Sequence, residues 1–190
     1  MINLFVNCYE ETDPTRKKEL ELCYERNTKN RLLTIYDIDS QERPTFSSIF
    51  DTVNQVTDND DINIVANADI YFDDTVAKCR GMDRMDFYAL SRWNVVNKSV
   101  ELYNHADSQD TWVFRGQCRI READFKIGLI ACDNRLAFEA ERAGYRIKNP
   151  SLTIKTYHVH ESGIRTYSGS KKAQVVPKPY RYIQPTQLQM

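Results

Sequence analysis

Two periods of apolar residues follow one another along the first half of the chain. Ile2–Val6 is a short apolar run bounded by the polar stretch 7–12, and it predicts a buried strand. Asp13-Pro14 then offers a helix cap with proline in the first turn, and Leu20, Cys23, Tyr24 and Asn27 recur at helical spacing. Residues 32–38 predict a second strand. Behind Arg43-Pro44-Thr45, residues Phe46, Ile49, Phe50, Val53 and Val56 share one helical face. Past the turn Asp58-Asn59-Asp60-Asp61, residues 62–72 predict a third strand, and residues 87–93 a fourth. Strands separated by helices at this spacing predict an α/β domain on a mostly parallel sheet.

The second half is less regular. Residues 111–114 predict a strand and 133–143 a helix stopped by Gly144, with further strands at 145–147 and 152–159 around Pro150. From Ser168 the pattern fades into Ser-Gly-Ser-Lys-Lys and then Pro177, Pro179 and Pro185. The expected organisation is one domain over 1–167 and a tail over 168–190 that lies on the domain or moves partly free of it.

Composition narrows the function classes. Twenty-six basic residues face twenty-seven acidic ones, a net charge of −1, so the overall basic excess of a duplex-gripping protein is absent. Cys8, Cys23, Cys79, Cys118 and Cys132 are odd in number and contain no C-x-x-C pair, which predicts reduced thiols and a cytoplasmic setting. Met1 to Val6 carries no basic leader, and no apolar stretch approaches the ~20 residues of a membrane span.

Two constellations carry chemistry. In the first, the apolar strand Ile64-Val65-Ala66 runs into Asn67-Ala68-Asp69, which brings oxygen-bearing side chains to the carboxyl edge of the sheet, where α/β folds bind ligands. Asp69 suits a hard divalent cation, with Asn67 as a helper, and the same pattern suits a polar strand end with a capping aspartate. The second runs from Cys132-Asp133-Asn134-Arg135-Leu136 through Ala143-Gly144-Tyr145-Arg146-Ile147 to Tyr157-His158-Val159-His160. Asp133 is a candidate general base, with a helix N-cap as the plain alternative. Strand alternation puts His158 and His160 on one face.

Together, in this order, the two segments resemble the signature of GT-A-fold glycosyltransferases, over roughly residues 2–160. In that superfamily an Asp-x-Asp motif binds metal at the strand edge, an acidic residue opens the catalytic helix, and the helix ends in Ala-Gly-Tyr-[Arg/Lys]-[Ile/Val] before a strand leading to histidine. The resemblance implies a single-domain GT-A (Rossmann-like) sandwich with a central mostly parallel mixed sheet. It implies a nucleotide-sugar donor, Mn2+ or Mg2+ at Asp69 and His158, and direct displacement with Asp133 as base. The acceptor stays open among glycan, lipid, protein and modified nucleic acid. His160 is expected to line the donor phosphates. Two departures stand out: Asn67 replaces the first aspartate, and Cys132 stands where the family often has a second acid.

Donor-side candidates follow from position. Asn7 and Tyr9 lie after the first strand, where the family seats the nucleobase, while Asp37 and Asp39 end the second strand and can meet base or ribose. Arg43 is a candidate anion contact. Arg16 and Lys17 sit near a helix N-terminus, where the dipole disfavours cations, and read better as a solvated face. Asp110 and Trp112 are expected to border the sugar pocket, although a core tryptophan fits as well. Two rivals remain. One is a nucleotide-sugar or glycan-binding module without catalysis. The other is a sugar nucleotidyltransferase, against which stands the lack of any glycine between Asn7 and Asp13.

Overall fold

The computed structural model of the chain describes residues 1–38, 42–97, 99–164 and 175–188. A six-stranded mixed sheet forms its centre, built from β1 (Ile2–Val6), β2 (Thr34–Asp37), β3 (Ile62–Ala66), β5 (Asp86–Leu90), β8 (Thr111–Arg115) and β9 (Arg146–Lys148) in the order β2-β1-β3-β8-β5-β9. β1 runs parallel to both β2 and β3, β8 is antiparallel to its neighbours β3 and β5, and β5 is parallel to β9. A second sheet, in the order β4-β10-β6-β7, joins β4 (Ile70–Phe72), β6 (Trp93–Val96), β7 (Ser99–Leu102) and β10 (Thr156–Val159).

Local chemistry marks the starts of two helices and the end of a third. α1 (Pro14–Lys29) opens on Asp13, whose carboxylate accepts from the Thr15 and Arg16 amides. α2 (Phe46–Val56) is capped by Thr45, which accepts from the Ser48 amide. α3 (Cys132–Arg142) closes at Gly144, whose φ of 88° is the left-handed turn that glycine adopts without strain.

Sheet alternation divides the core. Phe5, Val65, Phe87, Trp112 and Phe114 face α2 and α3, meeting Phe46, Ile49, Phe50, Leu136 and Ala140. Leu4, Val6, Ile62, Ile64, Leu90 and Val113 face the other way, onto Ile70, Phe72, Ile154 and the 3-10 segment Asp74–Gly81. Each such side chain contributes about 1.5–3 kcal/mol by leaving water. α1 lies over the second sheet, where Cys23 packs with Tyr71 and Val159 and the Asn27 side chain bonds the backbone of Ile70 and Phe72. Residues 175–188 run over the domain, tied by Val176 N to Ile130 O, Arg181 N to Asn134 O and Ile183 N to Ala106 O.

Two predicted strands prove to be pairs. The run 62–72 breaks at Asn67–Asp69, because the Asn67 amide makes the last bond in register with β8, to Asp110 O, and Ile70 N then turns back to Asn67 O. Its second part, β4, belongs to the other sheet. The run 87–93 breaks in the same way between β5 and β6, where the Ser91 amide bonds the Ser151 hydroxyl. The edges of the two sheets therefore meet at residues 67–69.

Candidate functional site

Asp69 is the centre of that junction. It is 8% exposed, and its Oδ2 lies 2.6 Å from Arg16 Nη2, 3.1 Å from His158 Nε2 and 3.7 Å from His160 Nδ1. His158 on β10 and His160 just past its end stack their rings with centroids 5.4 Å apart, and Val159 N donates to Asp69 O, which fixes the strand to the turn. Burial by itself would raise the Asp69 carboxyl. His158, His160 and Arg16 together outweigh it and hold the group well below the usual carboxylate range.

One donor atom each from Asp69, His158 and His160 fall within 4.8 Å of one another. The Asp69 Oδ1 atom is buried and has no hydrogen-bond partner among the described residues. A buried carboxylate with two imidazoles against it is a fitting donor set for a divalent transition ion. Asn67, two residues before Asp69, donates its Nδ2 to Asp110 Oδ1 at 2.9 Å.

Arg16 is the residue beside Asp69 that sequence reasoning placed wrongly. It is 6% exposed and not on a solvated face. Its Nη1 pairs with Glu19 Oε2 at 2.9 Å and reaches Val159 O at 3.3 Å. Glu19 is anchored in turn by the Ser162 amide at 2.6 Å and its hydroxyl at 2.9 Å. A buried carboxylate at Asp69 compensates the unfavourable dipole position. The i,i+3 pair Arg16/Glu19 was the available signal, but on most helices such a pair is exposed.

The second half of the site hangs on the loop before β8. Asp110 is 8% exposed and accepts from Asn67 on one oxygen and from Arg92 Nη1 at 2.9 Å on the other. Its neighbour Gln109 donates its amide to Asp133 Oδ2 at 2.9 Å, and Asn134 Nδ2 donates to Asp133 Oδ1 at 3.1 Å. A continuous chain of contacts thus runs from Asn67 to Asp133. Asp133 lies in the first turn of α3, and the N-cap position belongs to Ala131, held at φ 63° without a side-chain cap bond. Burial pushes the Asp133 carboxyl up to about 7, against the lowering effect of the Gln109 and Asn134 donors.

Beside Asp69, at the carboxyl ends of β1 and β2, opens a cleft of about 520 Å³. Val6, Leu20 and Ile35 give it apolar walls, Tyr9 and Tyr24 give rings, and Asp37 and Ala68 face it from the strand ends. Tyr24 donates its hydroxyl to Asp37 Oδ2 at 3.0 Å. The volume is in the ordinary range for a small-molecule site.

Other expected residues do not join. Trp112 is fully buried and meets Phe46 edge to face in the core, because its position on β8 faces α2, so it borders no sugar pocket. Arg43 donates to Gly128 O at 2.9 Å and ties down the loop before α3, away from the cleft. Asn7 does not line the cleft, since its Nδ2 bonds Ile38 O at 3.0 Å and joins the exits of β1 and β2. Cys132 is buried in the core, and none of the five cysteines forms a disulfide. Asp39 and the tail residues 168–174 lie outside the described residues.

Among the described residues no helix is long and apolar enough to cross a membrane. No protein-family model matches the sequence, and no curated protein matches it.

Proposed function

We propose that this chain is a glycosyltransferase that moves a sugar from a nucleotide-sugar donor to an acceptor hydroxyl with inversion at the anomeric carbon. The observation that carries this reading is the convergence of Asp69, His158 and His160 at the sheet edge beside the cleft. The nucleoside occupies the cleft, stacking on Tyr9 and giving a hydrogen bond to Asp37. Glu21 and Glu25 on the α1 wall repel phosphate, so the diphosphate points away from them, toward the histidines. Asp69, His158 and His160 would hold the divalent cation, which when bound neutralises charge on the departing diphosphate. Two imidazoles favour manganese over magnesium in that place.

Asp110, fixed by Asn67 and Arg92, stands between the two halves and holds donor-sugar hydroxyls. Asp133 takes the proton of the acceptor hydroxyl as its oxygen attacks the anomeric carbon. The bond from that carbon to the diphosphate oxygen breaks, and the nucleoside diphosphate leaves with the electron pair. A carboxyl pushed up to about 7 is well matched to this task at neutral pH.

A thermal-shift panel of nucleotide sugars, with and without manganese, tests the reading. A true donor at 100 times its dissociation constant stabilises the protein by about 2.7 kcal/mol. Silence across the panel in both conditions would remove the proposal. Binding without transfer or donor hydrolysis would point instead to a non-catalytic nucleotide-sugar module.

Within the cleft, Asp37→Ala is expected to weaken nucleoside diphosphate binding by about 10–100-fold, the worth of a hydrogen bond to a charged group. Manganese affinity in calorimetry should stay that of the parent. An unchanged nucleotide affinity would move the base out of this cleft.

A further inference from the structure

Resting on the metal reading above, we infer that Asn94, held by Arg92, is a positioning residue. It fixes the ring tautomer of His158 so that Nε2 presents its lone pair to the cation. Asn94 on β6 pairs in register with His158 on β10, and its Oδ1 lies 3.3 Å from His158 Nδ1. A carboxamide can face a ring nitrogen with either its oxygen or its nitrogen. Arg92 decides which: its Nε–H only donates, and it reaches the same Asn94 atom at 3.0 Å, so that atom is the oxygen. An acceptor oxygen opposite Nδ1 requires a proton on Nδ1.

In a neutral imidazole the lone pair is then on Nε2, which points at Asp69 Oδ2 across 3.1 Å. In that tautomer two lone pairs face each other, and a cation between them or a second ring proton turns the contact attractive. Asn94 thus fixes Nδ1 as the nitrogen that is always protonated and leaves Nε2 as the one that can meet a cation at the Asp69 carboxylate.

The Arg92 guanidinium is itself held. It donates to Asp110 Oδ2 at 2.9 Å and Ser108 Oγ at 3.1 Å, and the Tyr103 ring covers it with its centroid 4.3 Å away. One cation thus braces both Asp110 on the sugar side and, through Asn94, His158 on the metal side. Outer partners of ligating histidines are commonly worth 10–100-fold in metal affinity.

The test compares Asn94→Leu, which has similar volume and no acceptor, with Asn94→Asp, which keeps the acceptor. The readouts are manganese chloride calorimetry and circular dichroism. Asn94→Leu is expected to weaken manganese binding by about 10–100-fold with the spectrum intact, while Asn94→Asp stays close to the parent. Parent-like affinity in the leucine variant overturns the inference, and so does an equal loss in both variants.

A second measurement stands apart from metal binding. Proton–nitrogen correlation spectra of the metal-free parent should show His158 Nδ1 protonated, alone or together with Nε2. A ring protonated on Nε2 alone sinks the inference. A parent that binds no manganese overturns the metal reading, and these spectra still decide the role of Asn94.

Discussion

Asp69→Asn is expected to abolish manganese binding and to destabilise the fold at the same time. The sequence alone places Asp69 at a sheet edge. The stability effect arises because its carboxylate closes a buried ion pair with Arg16, both side chains being about one-tenth exposed or less. Breaking a buried pair leaves the other charge uncompensated and costs on the order of 3–5 kcal/mol. Loss of metal binding could therefore be mistaken for unfolding, and Arg16→Met separates the two. That variant breaks the same pair but keeps the ligand, so it should lose similar stability while retaining manganese affinity. Asp69→Asn should lose more than about 100-fold, beyond what an outer partner is worth. Calorimetry on both variants, at a temperature where circular dichroism shows them folded, checks this. Equal manganese affinity in the asparagine variant and the parent would show that the metal is held elsewhere.

How far the site could be read from sequence follows from what kind of information each residue carries. The places of Asp69, Asp133, His158 and His160 in the fold were legible because each sits at a fixed distance from a strand or helix end, and those ends are marked by apolar periodicity and by Gly144. The α/β class with a mixed sheet was legible for the same reason. The break at Asn67–Asp69 was not, since an unbroken apolar run from Ile62 to Phe72 does not show where one sheet hands the chain to another. Arg16, Arg92 and Asn94 were invisible for a related cause. Their roles depend on partners 53, 18 and 64 residues away, and only the assembled sheets bring those partners together. Trp112 went the other way. A tryptophan two residues after an aspartate reads as a sugar-stacking pair, yet β8 begins only at Thr111, so Asp110 stays in the preceding loop while the strand turns Trp112 into the core.

Asp133→Asn is expected to cut turnover by 10²–10⁴-fold while leaving donor binding unchanged. Its stability signature runs opposite to its activity. The folded carboxyl is raised from 3.8 to about 7, so between those values the folded state holds a proton that the unfolded chain releases. Stability of the parent therefore falls as pH rises from about 4 to about 7, by up to about 1.4 kcal/mol per pH unit, and levels off above. Asparagine carries no such charge and keeps an acceptor for the Gln109 amide. The variant should accordingly melt higher than the parent at pH 8, and the difference should shrink toward pH 4. Parent turnover should climb through pH 7 as the carboxylate forms, while the residual rate of the variant stays flat across that range. A variant that melts lower at pH 8 would mark Asp133 as a structural acceptor for Gln109 and Asn134. A product of retained anomeric configuration would contradict direct displacement, however large the loss of rate.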